Sequence, residues 1–266
     1  MKNNVLFLTS DLLTNTGIDH GWFMRSGGVS KVLFDSLNGK KGNGDSDSNV
    51  DENRRRALNS VIPAQAGIQA SNNQLTHIIH EFKNNILEAT ESGEFCGYDA
   101  SITTGKDIVL SQTTADCGTI IIADTEGTVV SLVHGSWHTL SLKIIRDTVA
   151  KLKVHTSNEL IAAIGPMICK NCYVFGPEAK DYFDSKYLKL VSRHSRAGGN
   201  PVQVDSAKST HKKYLVDLKQ MILDQLTESG ITKIDDVNVC TLEDDRFFSH
   251  RRLGANSGRL ITLAKL

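Results

Sequence analysis

The chain has 266 residues, 39% of them hydrophobic, with 30 basic and 30 acidic side chains. That apolar content supports a buried core and excludes disorder along the whole length, and the length suits one large domain or two small ones. The even charge lacks the basic excess of a nucleic-acid binder, and no run approaches the ~20 apolar residues that a bilayer span requires.

Taken in chain order, the opening MKNNVLFLTSDLL has one Lys and an apolar run too short for a signal peptide, so Val5–Thr9 reads as a first strand. Further strands are expected at Ile108–Ser111, Thr119–Ala123, Val129–His134, Leu160–Ile164, Val237–Thr241 and Leu260–Ala264, where β-branched runs are bounded by Gly, Asp or Asn. A helix is expected over Ser141–Lys153, where Leu142, Ile145, Val149 and Leu152 recur at helical spacing. Another is expected over Lys212–Ser229, with Leu215, Leu218, Ile222 and Leu226 on one face and Gly230 as its C-terminal stop. Pro177 suits the first position of a third. Strands and helices mix without strict alternation, which points to α+β rather than a doubly wound sheet.

Two segments look foreign to this pattern, Arg56–Asn73 and Ser192–Val204. Both are rich in turn-forming or small polar residues and resemble peptides encoded by palindromic repeats inserted in frame into bacterial genes. The alternative is ordinary loops; in either case they belong at the surface and carry no function.

Chemistry-bearing residues gather beside the apolar strands. His134-Gly-Ser-Trp-His138 follows one strand, Thr114-Ala-Asp-Cys117 precedes another, and His77-Ile-Ile-His80 lies upstream. Two histidines and a cysteine with a fourth position open can make a catalytic zinc set. Their separations form no local metal motif, so the residues alone leave open that Cys117 is a small core residue. Cys169-Lys-Asn-Cys172 offers a metal or redox pair, but no second pair stands at a suitable spacing. With Cys96 and Cys240 the cysteines number five, an odd count that suits a reducing cytoplasm. Arg25 in Gly-Trp-Phe-Met-Arg-Ser-Gly-Gly and Arg252 in Phe-Phe-Ser-His-Arg-Arg-Leu-Gly combine a forked cation with glycines, as an anion site does.

The ordered set of motifs resembles the YfiH-like, or laccase-domain, family of purine nucleoside phosphorylases. It comprises His20-Gly-Trp-Phe-Met-Arg-Ser-Gly-Gly-Val-Ser30, Phe34-Asp-Ser-Leu-Asn38, Glu52-Asn-Arg54, Tyr98-Asp-Ala100, Thr114-Ala-Asp-Cys117, His134-Gly-Ser-Trp137, Ile164-Gly-Pro166, Cys172-Tyr173, Cys240-Thr241 and Phe247-Phe-Ser-His-Arg-Arg252 with Gly258-Arg259. The resemblance implies a single compact α+β domain, a sandwich of mixed sheets flanked by helices. It implies zinc held by His80, Cys117 and His134, with copper as the alternative in the family's older polyphenol-oxidase description. The implied activity is phosphorolysis of adenosine, inosine and methylthioadenosine, with adenosine deamination beside it. Cys117, His134 and Asp116 are then the catalytic candidates, Asp116 orienting a histidine or moving a proton. Arg25 and Arg252 are the candidates for phosphate or ribose. The partners are a purine nucleoside and phosphate, with no nucleic acid or membrane, in a cytoplasmic monomer or weak homodimer.

The chain departs from the family pattern at three points. His77-Ile-Ile-His80 stands for a Gln-Val-His motif, with His77 as the fallback ligand; His138 stands where the family has Arg; Val174 stands where it has Glu. A histidine grips phosphate less firmly than arginine, being neutral much of the time near pH 7. The rival readings are a cysteine hydrolase or amidase editing peptidoglycan precursors, a copper polyphenol oxidase, and a decayed homologue without activity.

Overall fold

The computed structural model describes residues 4–62, 74–191 and 212–266. Its first six-stranded sheet runs in the order β1 (Phe7–Leu8), β2 (Asp19–Phe23), β15 (Leu260–Lys265), β7 (Val109–Thr114), β3 (Leu75–Ile79), β5 (Gly93–Cys96). The second runs β14 (Ile234–Asp236), β10 (Leu160–Ile164), β8 (Gly118–Asp124), β9 (Val130–Gly135), β6 (Ala100–Thr103), β4 (Ile86–Glu88). A small third sheet joins β11 (Val174–Phe175), β13 (Tyr214–Val216) and β12 (Leu188–Leu190). Both large sheets are mixed: β3 is parallel to β5 and β7, and β10 to β14, among antiparallel neighbours. The helices are α1 (Asp11–Thr14), α2 (Asp47–Val61), α3 (Trp137–Ser141), α4 (Ile144–His155), α5 (Ala179–Tyr182), α6 (Leu218–Glu228) and α7 (His250–Leu253).

Period-two alternation assigns the layers. Ile121 and Ala123 of β8 and Ile161 and Ala163 of β10 pack with Trp22, Leu110 and Ala264 of the first sheet, so the two sheets share a core. The intervening Ile120, Ile122, Ala162 and Ile164 face α4 and α6 through Ile145, Val149, Leu152, Ile222 and Leu226. On the far side of the first sheet, Phe23, Val109, Ile261 and Leu263 meet Ala57 and Leu58 of α2. The result is helix, sheet, sheet, helix, the expected α+β sandwich, because strands buried on both faces read as continuous apolar runs.

Several elements differ from the sequence expectation, each for a local reason. The Ser141–Lys153 helix is two helices: Lys143 is left-handed at φ 65, so Leu142 falls at the break, 49% exposed. Leu215 belongs to β13, and Asp217 caps α6 by accepting from Gln220 N at 3.1 Å. Gly230, at φ 91, follows the C-cap Ser229 as a stop. The helix expected at Pro177 begins only at Ala179. Val237–Thr241 forms no strand; it passes a left-handed Asn238 and makes one isolated bridge, Met167 to Cys240.

The α2 helix had no sequence expectation. Its buried face is Val50, Asn53, Arg54, Ala57 and Leu58, a regular helical stripe with two polar members. Those two pin the neighbouring loop: Asn53 donates to Ser30 Oγ and Asn38 O, and Arg54 donates to Gly39 O. Residues 56–61 of the first foreign-looking segment are therefore helix, with Ala57 and Leu58 fully buried rather than at the surface. The remainder of that segment from 63, and all of Ser192–Val204, lie outside the described residues.

Candidate metal centre

Register brings the candidate residues to one end of the paired sheets. Thr119 of β8 pairs with His134 of β9, and Ala100 of β6 pairs with Val133, so Cys117 and Asp99 arrive on either side of His134. His80 follows β3 of the other sheet directly. Cys117 sits in the short link from β7 to β8 where the chain changes sheets, beside a left-handed Asp116 at φ 83. Aspartate tolerates that conformation better than most side chains. The strand end at His134 is fixed by its N–H to Asp99 O at 2.8 Å and by Thr139 Oγ1 donating to its carbonyl at 2.6 Å.

His134 is 2% exposed and its Nδ1 donates to Asp99 Oδ1 at 2.8 Å. With Nδ1 committed, Nε2 is the ring atom left to face Cys117, whose charge acts on the ring. Burial alone pushes the His134 pKa down, but the Cys117 and Asp99 charges overcome it and hold it up to about 9.

The His80 ring stacks on His134, centroids 3.8 Å apart and 11° from parallel. Gln112 fixes its tautomer: the amide nitrogen donates to Val133 O at 3.2 Å, so Oε1 faces His80 Nε2 at 3.3 Å and accepts its proton. That leaves Nδ1 of His80 with the lone pair. Burial, then the charge of His134 and His77, hold the His80 pKa well below its ordinary value, so it stays neutral as a metal ligand must.

His80, Asp99 and His134 present ligand atoms within 4.8 Å of one another, and Cys117 joins them through His134. Two imidazoles and a thiolate suit zinc. Rings this close to parallel cannot both hold one ion in plane, so sharing it requires one ring to turn. Asp99 is fully buried with both oxygens engaged, Oδ1 by His134 and Oδ2 by Lys83 N at 2.7 Å. Its hydrogen bond to Nδ1 fixes the orientation of the His134 ring.

The remaining sequence candidates are placed differently. His77 stands apart from the cluster, its Nδ1 2.9 Å from Ser111 Oγ. Among the described residues Asp116 hydrogen-bonds to no histidine: its carboxylate accepts from Thr241 Oγ1 and from Arg251 N in the first turn of α7, both at 2.7 Å, beside the N-cap Ser249. Arg252 spends its guanidinium on the carbonyls of Thr241, Leu242, Asp244 and Phe247. Arg25 donates Nε to Asp35 O at 2.7 Å and lies over the Phe248 ring at 4.9 Å. The cations felt by the centre are others. Arg259 senses Cys117 and Asp116, and Lys40 senses Arg259 and acts on His80. Exposed His138 lies 5.7 Å from the Phe82 ring, and Val174 offers its carbonyl to Arg251 at 2.8 Å.

Asp99, Gln112, Lys40 and Arg259 are the residues that sequence reasoning left without a role. Asp99 and Arg259 stood inside quoted motifs, but their roles depend on cross-strand neighbours.

Residues 19–266 match the family model described as multi-copper polyphenol oxidoreductase laccase. A purine nucleoside phosphorylase of Pseudomonas aeruginosa is 28% identical over 243 residues, 91% of this chain and 90% of that one. An adenosine deaminase from an unknown prokaryote is 29% identical over 171 residues, 62% of this chain and 61% of that one. The crystal structure of a Bacillus licheniformis hypothetical protein, YfiH, superposes with a TM-score of 0.82 at 19% identity, covering 98% of this chain and 96% of that one, a likeness of fold.

Proposed function

The chain belongs to the multi-copper polyphenol oxidoreductase laccase family, the YfiH-like proteins, and on that premise we propose that it is a zinc-dependent purine nucleoside phosphorylase. In this reading it cleaves adenosine, inosine and methylthioadenosine and deaminates adenosine as a side activity. The observation that carries it is the cluster of His80, Asp99 and His134 ligand atoms within 4.8 Å of one another at one end of the sandwich, with Cys117 acting on His134 beside it. The names of relatives that match most of the chain supply the substrate class.

His80 through Nδ1, His134 through Nε2 and the Cys117 sulfur would hold the ion. Bound zinc supplies Lewis-acid polarisation and a lowered pKa for water. Asp99 fixes the tautomer of His134, and Gln112 that of His80. Lys40 gives the centre a cationic flank that gathers phosphate for attack on the sugar as its bond to the purine loosens, and Arg259, its guanidinium held by the Ser257, Gly258 and Ala255 carbonyls, adds positive charge from a fixed position. Arg25, anchored through Nε on Asp35 O, is a second contact for phosphate or ribose. Arg252 and Asp116 support the site by fixing α7 and the loop before it. Tyr173, kept neutral by burial and the nearby Cys117 charge, lies under the Arg251 guanidinium at 5.3 Å and helps hold that arginine in place. The reading places the enzyme in the cytoplasm, where reducing conditions keep thiolates available.

Two imidazoles and one thiolate suit zinc better than a multi-copper oxidase, whose copper(II) sites want several histidines each. A second reading has a specific observation behind it. Cys117, His134 and Asp99 also stand in the order nucleophile, base and orienting carboxylate, the pattern of a cysteine hydrolase. Chromatography of the zinc-loaded protein with adenosine tests both. Adenine formed only with phosphate, and lost on chelation, supports the phosphorylase. No purine product, with Cys117 alkylated readily and an amidase activity that survives chelation, assigns the hydrolase instead.

A further inference from the structure

We propose that Cys169, Cys172, Cys240 and Glu243 form a second zinc site, separate from the centre at His134, that staples two loops together. The four ligand atoms lie within 4.8 Å of one another. Tetrahedral zinc with Zn–S bonds of ~2.3 Å brings thiolate sulfurs to roughly 3.8 Å, so only a small contraction is needed.

The sequence presents one CxxC and no second pair, but the fold supplies one. Cys240-Thr-Leu-Glu243 repeats the i, i+3 spacing of Cys169-Lys-Asn-Cys172 with a carboxylate as its second ligand. Each pair rides on a tight turn. Cys172 N and Tyr173 N donate to Cys169 O at 3.0 and 3.1 Å, and Asp244 N donates to Cys240 O at 3.0 Å. The turns are laced face to face by the parallel bridge of Met167 and Cys240, in which Met167 N donates to Val239 O at 3.1 Å and Thr241 N to Met167 O at 3.2 Å.

The sulfurs are arranged as metal ligands are. Cys240 Sγ accepts from Cys169 N at 3.3 Å. Backbone donors of this kind stabilise a thiolate and aim it. The Cys172 thiol donates to Glu243 Oε1 at 3.4 Å, a contact that an ion would replace. Three sulfurs and one oxygen in a closed set match structural zinc rather than magnesium or calcium, which want oxygen throughout. Glu243 is exposed and the cysteines are partly so, which leaves the ion a path in. Binding displaces the remaining thiol protons to solvent, with no change in oxidation state.

The staple bears on the rest of the molecule. Thr241, within the second turn, donates to Asp116, and Ile168 N donates to Asp116 O at 2.9 Å. Asp116 precedes Cys117, so both turns steady the link that carries that thiolate.

The test is the zinc content of the full chain, expressed with zinc and purified under reduction, as wild type and as His134→Ala, Cys240→Ser and Glu243→Gln. The expected content is two zinc per wild-type chain and one in His134→Ala or Cys240→Ser, with weakened retention of one zinc in Glu243→Gln. Should a variant fail to fold, cobalt titration of wild type decides. The proposal expects two equivalents, one of them with the intense near-ultraviolet charge-transfer absorption of three thiolates. A single equivalent with Cys169, Cys172 and Cys240 reacting freely as thiols overturns it. So does a disulfide within this trio in the protein isolated without reductant, which would make the cluster a redox pair.

Discussion

Replacing Asp99 by Asn probes the centre through a residue that the proposed ion does not touch. Both Asp99 oxygens accept hydrogen bonds, from His134 Nδ1 at 2.8 Å and from Lys83 N at 2.7 Å, and the side chain is fully buried. An amide offers one acceptor. If Asn keeps its oxygen on His134, its NH2 group meets the Lys83 N–H donor to donor; if it turns, it meets His134 Nδ1–H in the same way. A buried unsatisfied donor costs ~1–3 kcal/mol. Loss of an orienting carboxylate behind a ligand histidine lowers metal affinity roughly 10–100-fold, which is about 1.4–2.8 kcal/mol of binding. Zinc affinity of this centre in Asp99→Asn, measured by competition with a chromophoric chelator, is therefore expected to fall by one to two orders of magnitude while the fold persists. Affinity within twofold of wild type would refute the assigned role of Asp99.

Lys40→Met removes an exposed cation beside His80 and Arg259. The KM for phosphate should rise roughly tenfold, as loss of a charge-assisted contact implies, with kcat little changed; an unaltered phosphate KM would remove Lys40 from the anion site. Leu58→Ala should lower unfolding free energy by ~2–5 kcal/mol in a denaturant titration, because α2 is core; a cost under about 0.5 kcal/mol would mean that its helix is dispensable. Burial raises the Asp124 pKa, but donors from Thr128, Asn158 and Thr156 outweigh it and bring it down to about 2 from 3.8. A depressed carboxyl stabilises the fold above its ordinary value, and that contribution is lost as pH falls from about 4 through about 2. Wild type should thus lose on the order of 2 kcal/mol more than Asp124→Asn across that window; parallel acid limbs would show the network to be inert.

The sandwich was legible where strands are apolar on both faces, as in Thr119–Ala123 and Leu160–Ile164, since such runs need no partner to be recognised. The α2 helix was hidden because Asn53 and Arg54 occupy its inward stripe, and only the Gly28–Lys40 loop explains why polar groups belong there. Motif order singled out His80, Cys117 and His134 as candidates, while the placement of Asp99 beside them depends on the pairing of Ala100 with Val133. Arg252, one of the two arginines offered for phosphate, shows what composition leaves open. It sits among the expected glycines, yet its guanidinium is spent on backbone carbonyls, as is that of Arg259, whose charge nonetheless acts on Cys117, and Lys40 acts on His80. Likewise the CxxC looked unpartnered because Cys240 and Glu243 reach it through one isolated bridge far along the chain.

The central claim meets its most direct test in Cys117→Ser, compared with wild type for zinc content and for adenine released from adenosine in the presence of phosphate. The account predicts that the variant loses one zinc equivalent and, with it, phosphate-dependent adenine release, while its folded spectrum is retained. A variant that lacks that zinc yet releases adenine at the wild-type rate would contradict a metal-dependent phosphorylase at this site.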